Sequence, residues 1–441
     1  MDPVGYPSIA LYTIILIGLP LAIIRPFYAF LMVIIISSGI DSTSLTYTRT
    51  QFLGPYFNAN DACLLIALSA ILSYCVILNN NIYIPSISKL MVAILLIGFV
   101  QSLLIYKGST YKVFQAMRWA IGLPLYMIVS ATIVKKPKEL RLVLAAIIFG
   151  SVISALQHIT FVKSLIEFSE TTAGNIAYYR TNVFSSPGQW ILISGILWLH
   201  RIRIGYRPLG VIVVILFSIS VFLSQTRSVW ISLIASLLVA LPIYQDRNIR
   251  KNIILILLVG ITIFFGVRGI INHILPEATI EEIIVQRFDP FREEDSPFES
   301  TFGRKLDFEI ELKEWMKGTM IFGRGLSYFY SNEFKIYESL DVAWGHLGHV
   351  TVLAQLGVFG LIVYSILFPA IIIKSSIKLW KITTGDIKYL GLLAGVCMIS
   401  SWICFFMSGS FLNQNVVLGI IFGTTYRQAM YLTRYPIHST V

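Results

Sequence analysis

The sequence predicts an all-α polytopic membrane protein, with about 12–13 transmembrane helices and one long external loop. Three observations carry this. Of the 441 residues, 56% are hydrophobic and only 13% charged, with a mean hydropathy of +0.76. Soluble proteins carry about 25% charged residues. Apolar runs of membrane-spanning length, about 20 residues, recur along the chain. The net charge of +11 is also unevenly spread. Between Arg268 and Gly345 stand fifteen acidic and nine basic residues, leaving 8 acidic and 25 basic residues elsewhere. Together these features exclude an ordinary cytosolic enzyme, a disordered chain and a coiled coil. The alternating ten-residue segments of a β-barrel are absent.

In chain order the expected spans are 8–24, 26–40, 61–78, 87–106, 114–134, 140–160, 188–200, 209–226, 229–244, 252–268, 348–373, 389–407 and 415–432. Only Arg25-Pro26 separates the first two, so they form either a tight hairpin or one irregular segment. The first run follows Met1-Asp2 without a basic leader, which reads as a retained span rather than a cleaved signal peptide.

Short basic loops set the orientation. Lys135, Lys136, Lys138 and Arg141 form one, and Arg201, Arg203 and Arg207 the next. Arg247, Arg250 and Lys251 follow, then Lys374, Lys378, Lys381 and Lys388. Alternating spans put all four on one side, expected to be cytoplasmic, together with Arg427 and Arg434. A basic membrane body of this kind is a topology signature, not a nucleic-acid footprint. The acidic loop 269–347 then faces outside, with loops 41–60, 161–187 and 225–228. This divides the chain into an N-terminal bundle (1–268), an external loop (269–347) and C-terminal spans with a cytoplasmic tail (348–441).

Inside that loop, residues 304–317 predict a helix that stops at Gly318. Phe308, Leu312 and Trp315 recur on one face, and Leu306 and Ile310 broaden it. Such a helix lies on the outer membrane surface or packs onto the spans. The four cysteines, Cys63, Cys75, Cys397 and Cys404, lie in apolar runs without metal-ligand spacing.

Several residues can carry chemistry. Arg227 stands between two spans with almost no loop. Its guanidinium cannot be deprotonated, so it either snorkels to head groups or meets an anion. Arg304 opens the loop helix, where free backbone N–H groups add to its positive charge; a salt bridge to Asp307 is the plain alternative. In Gly323-Arg324-Gly325 the glycines allow close backbone approach to a ligand and Arg324 adds a cation, although a simple turn has the same pattern. His346 and His349 share a face at the start of span 348–373, where either can act as a general base. A zinc site there lacks a third ligand of matching spacing. No phosphate-binding loop, dinucleotide fingerprint or Asp-x-Asp pair occurs; the first external loop offers only Asp41 and Asp61.

Taken in order, these residues resemble the bacterial O-antigen ligase and polymerase superfamily. The family pattern has Ser-x-x-Arg, matched by Ser224-Gln225-Thr226-Arg227. A long external loop follows, with Gly-Arg opening a helix that contains Trp, matched by Gly303-Arg304 and Trp315. Next comes Gly-x-Gly, matched by Gly323-Arg324-Gly325. Last is a histidine segment running to Gly357-Val358-Phe359-Gly360-Leu361, whose spacing favours His346 as the family histidine. Two positions depart from the pattern: Leu347 replaces the usual Asn, and Gln355 the usual Glu.

The resemblance implies glycosyl transfer, at the external face of a bacterial inner membrane, from a polyprenyl-pyrophosphate-linked glycan to an acceptor hydroxyl. It implies His346, Arg304 and Arg227 as catalytic residues, with Arg324, Gly323, Gly325 and His349 at the substrate. It requires no metal, nucleotide or other cofactor and no nucleic-acid partner, and direct attack inverts the anomeric carbon. A ligase and a polymerase differ only in acceptor. Two other classes stay open: a lipid-linked glycan transporter, and a metal-dependent transferase using Asp41 or Asp61.

Overall fold

The computed structural model describes residues 5–39, 50–51, 56–57, 59–106, 110–173, 211–213, 215–219, 227–244, 301–326, 348–407 and 416–434. The expected spans 188–200 and 252–268 lie outside them, as do His346 and Asp41. The described chain is a helical bundle. In order come α1 (Gly5–Ile24), α2 (Pro26–Gly39), α3 (Ala59–Val76), α4 (Ser86–Leu104), α5 (Thr110–Ile133) and α6 (Pro137–Ala173). Then follow α7 (Arg227–Ile243), α8 (Thr301–Lys317), α9 (Gly348–Ile362), α10 (Phe368–Ile382), α11 (Gly385–Met407) and α12 (Val416–Arg434). A π turn, Val363–Leu367, joins α9 to α10. Between α2 and α3, Thr50–Gln51 (β1) pairs antiparallel with Tyr56–Phe57 (β2), a two-residue ladder that the apolar pattern did not signal.

Six described helices or helix pairs are long and apolar enough to cross a bilayer; α9 and α10 count together as Gly348–Ile382. The chain is a multi-pass membrane protein. α1 and α2 resolve the first ambiguity as a hairpin. A side chain on Gly18 would meet the Met32 methyl at 3.3 Å, and each residue stands seven positions from Arg25. Fourteen residues of continuous helix would separate them by about 21 Å, so the chain turns back at Arg25.

Several boundaries differ from the sequence reading: the helix expected from 114 begins at Thr110, and the span expected to end at 373 continues to Ile382. α6 continues to Ala173, through the stretch expected to open a loop at 161, because no Gly or Pro interrupts it. The loop helix begins at Thr301, three residues before Arg304.

One end of the bundle is tied by basic side chains. Arg141 on α6 pairs with Asp386 on α11. Lys388 lies over the Trp380 ring at 4.2 Å, and Arg427 over Tyr83 at 4.0 Å. Aromatic rings beneath interfacial cations suit a membrane boundary. Just below that boundary the Tyr244 hydroxyl bonds to Ser376, and Ser376 donates to the Gly391 carbonyl at 2.6 Å. These contacts fix the register of α7. Its seventeen residues rise about 25 Å, so Arg227, its first residue, stands at the opposite end.

Candidate functional site

At that opposite end α8, a short turn and α9 form one unit. α9 is not a continuous helix: Gly357 has φ +67° and ψ −169°, which breaks it. A break inside a span frees carbonyls and amides that lipid cannot satisfy. Here the turn after α8 satisfies them. Arg324 N–H donates to the Ala354 carbonyl at 2.8 Å, and Gly325 N–H to Gln355 at 2.9 Å. In return Val358 N–H donates to Met320 at 3.0 Å, and Phe359 N–H to Ile321 at 3.1 Å. Trp315 Nε1 donates to the Met320 carbonyl at 3.1 Å and seals the turn.

This explains the glycines. Gly323 has φ +70°, and a Cβ there would lie 2.5 Å from Gly357 N and 2.7 Å from the Ala354 carbonyl. Those are backbone atoms that cannot swing aside. The close approach that Gly323 and Gly325 permit is to the protein itself: Gly323 to α9, and Gly325 to Gly98 and Ser102 of α4. Ser102 Oγ accepts from Leu326 N–H at 2.6 Å, which completes the seat.

α8 meets α9 through carboxylates. Glu311 is fully buried and accepts a 2.6 Å hydrogen bond from Thr351. Glu314, 4% exposed, pairs with Arg324 and, at 2.7 Å, with Lys317. Arg324 also lies 5.8 Å from the centre of the Tyr106 ring. The cation expected at a ligand is therefore half of an ion pair locking α8 to the turn. Of the expected apolar face, Phe308 is 43% exposed and Ile310, Leu312 and Trp315 are half-buried, while the carboxylates Glu311 and Glu314 face inward. Desolvating a carboxylate is costly unless it is paired and hydrogen-bonded, and here both are bonded.

His349 stands on α9 in an aromatic box. Its Nδ1 is 2.5 Å from Ser365 Oγ, and its ring centre lies 4.3 Å from Phe405 and 4.0 Å from Phe406 of α11. Nε2 finds no hydrogen-bond partner among the described residues. Arg304 lies in the first turn of α8 and Arg227 opens α7, both at the end remote from the basic loops.

One ion pair escaped the sequence reading. Arg118 on α5 donates to Asp61 on α3 at 3.1 Å, with Asp61 almost wholly buried. Arg118 was visible by the rule applied to Arg227: a lone cation inside an apolar run needs a partner. Asp61 is thereby engaged by a cation, which disfavours it as a metal ligand or base.

Residues 212–365 match the family model described as O-Antigen ligase. That segment belongs to the O-antigen ligase superfamily. It runs through α7, α8 and α9, so it contains Arg227, Arg304, Glu311, Glu314, the Gly323–Gly325 turn, His349 and Gly357, and leaves out Asp61, Arg118, Tyr106, the α4 seat and the phenylalanines of α11. The family is one of ligase- and polymerase-type membrane glycosyltransferases with lipid-linked glycan substrates. A comparison with curated proteins finds no match to the chain.

Proposed function

We propose that the protein transfers a glycan from a polyprenyl-pyrophosphate carrier to an acceptor hydroxyl at the external face of the inner membrane. The register of α8 on α9 is the main support. The two helices run in the same direction: Glu311 meets Thr351, forty positions on, and Met320 meets Val358, thirty-eight positions on. That register directs the opening turn of α8, which carries Arg304, towards the end of the bundle where α9 begins. The external end of α7 carries Arg227 to the same side of the bundle.

In this reading Arg227 and Arg304 hold the pyrophosphate. Its leaving oxygens gain negative charge as the glycosidic bond breaks, and fixed guanidinium groups stabilise that charge. His346 takes the proton from the acceptor hydroxyl, whose oxygen attacks the anomeric carbon from the opposite face with inversion. Arg324 holds α8 in place through Glu314, and His349 packs the start of α9. Loop 269–347 covers the donor and selects the acceptor.

A broken helix also suits a transporter, whose discontinuous spans line a substrate path. Here the groups freed at Gly357 are bonded to the turn, which favours the enzyme.

The test uses the purified protein in lipid vesicles with a lipid-pyrophosphate-linked oligosaccharide and an acceptor. Arg227→Ala and Arg304→Ala should each lower turnover about 10²–10³-fold, and His346→Ala about 10²–10⁴-fold. Unchanged turnover in all three variants refutes the proposal. The acceptor is read separately, in a strain lacking the gene. Full-length polymer left on the lipid carrier marks a ligase, and single repeat units mark a polymerase.

A further inference from the structure

We infer that the turn following α8 is a membrane anchor, seated in the acyl chains of the external leaflet through Met316, Met320 and Ile321.

The first argument is the inverted dressing of α8. Its carboxylates Glu311 and Glu314 face the bundle, whereas Met316 is 57%, Met320 64% and Ile321 61% exposed. A helix end in water gains nothing from turning methionine and isoleucine outward while burying two carboxylates. Glu309 and Lys313 precede Met316 by seven and three positions on the same exposed side of α8, so that side is charged along the helix and turns apolar only from Met316 down into the turn.

The second argument is depth. Lys374 is the first charge along the broken span and marks its cytoplasmic boundary. Val358 stands sixteen residues earlier, about 24 Å along a helix and inside a hydrocarbon layer of about 30 Å. Because Val358 and Phe359 are hydrogen-bonded to Met320 and Ile321, the turn enters that layer with them. The Met320 and Ile321 carbonyls and the Arg324 and Gly325 N–H groups meet the requirement for entry, since the break in α9 bonds them.

The third argument is continuity. Val358, Phe359 and Ile362 are exposed apolar residues on the span itself, and Phe322 packs edge-on to Phe359 at 6.1 Å. Met320 and Ile321 extend this lipid-facing belt sideways. The occupant is therefore bilayer lipid, the medium already covering the adjoining residues. This inference rests on the membrane topology and not on glycosyl transfer.

The test reads position rather than activity. Cys63, Cys397 and Cys404 are buried, so a Cys75→Ser background leaves no accessible thiol among the four native cysteines. Met320→Cys, Lys313→Cys and Val358→Cys are each labelled with a small fluorophore in the full-length protein. Each protein is placed in phosphatidylethanolamine–phosphatidylglycerol vesicles with brominated acyl chains, and iodide serves as the aqueous quencher. The expected result is bromine quenching at 320 equal to that at 358, with 313 quenched only by iodide. Iodide quenching at 320 equal to that at 313 overturns the inference. A label at 320 shielded from both quenchers also overturns it, because protein then covers the turn. Turnover of the same variants has no bearing on the result.

Discussion

Gly357→Ala should detach the turn from α9 without unfolding the bundle. The native φ of +67° costs a residue with a Cβ about 1–2 kcal/mol. The added methyl would also overlap the Ile321 carbonyl and Gly323 N, both backbone atoms of the turn. The turn must therefore retreat and give up at least the two bonds from Val358 and Phe359, each worth about 1 kcal/mol net. Together these terms make local opening about 3–4 kcal/mol easier, or two to three decades in the opening equilibrium at 1.4 kcal/mol per decade. Hydrogen exchange read by mass spectrometry in lipid nanodiscs is the assay. Peptides covering 319–326 and 354–360 should exchange at least about 100-fold faster, while a peptide within α4 keeps its protection. Gly357→Asn is a second variant of the same kind. Asparagine tolerates positive φ only in the left-handed α region and not at the native ψ of −169°, so it bears both the backbone cost and the Cβ overlap and should open the turn as much as alanine does. Wild-type protection at 319–326 would refute the reasoning, as would equal acceleration throughout the bundle.

Other expectations follow from single contacts. Arg118→Met leaves the Asp61 carboxylate buried without its cation and should cost about 2–4 kcal/mol of stability; adding Asp61→Asn should recover most of the loss of thermal stability, and a double variant no better than the single would contradict the pairing. Glu314→Arg and Arg324→Glu should each loosen α8, whereas the exchanged pair should restore both melting temperature and turnover. Restored melting without turnover would mean that Arg324 touches substrate. Turnover should be the same with and without EDTA, since the two arginines carry the pyrophosphate charge, and loss of activity on chelation would reopen the metal-dependent reading.

The membrane architecture was legible because burial in lipid imposes long apolar runs that little else imposes. The sequence singled out Arg227 and Arg304 because an arginine between two spans or at a helix start can be read locally, and the fold places them in the first turns of α7 and α8. The break at Gly357 was not. A glycine inside a long apolar run has no periodic signature, and the compensating donors lie more than thirty residues away at Arg324 and Gly325. The only hint was length: 348–373 exceeds the roughly 20 residues a span needs. The buried face of α8 was hidden for a similar reason. Side-chain polarity marked Phe308 and Leu312 as an apolar face for either lipid or the spans, and gave no sign that Thr351 and Arg324, brought up by the fold, turn Glu311 and Glu314 inward. The Arg118–Asp61 pair spans 57 positions, beyond any local pattern.

The departure at position 355 takes on a different meaning in this light. The family pattern places a carboxylate there, and this chain has an amide. Thr351 stands one turn before Gln355 and so shares its face of α9. Glu311 reaches that face from α8, and its carboxylate is bonded to Thr351. A carboxylate therefore still meets this surface, delivered by the loop helix instead of the span. The consequence is coupling: α8 carries both Arg304 and Glu311, seven positions apart on one side of the helix. Whatever lifts α8 from α9 moves Arg304, the phosphate-binding cation of the proposed reaction, and a buried anion together. The Glu314–Arg324 pair and the stitched break at Gly357 hold α8 down, so in the proposed reaction they set when Arg304 and His346 face one another.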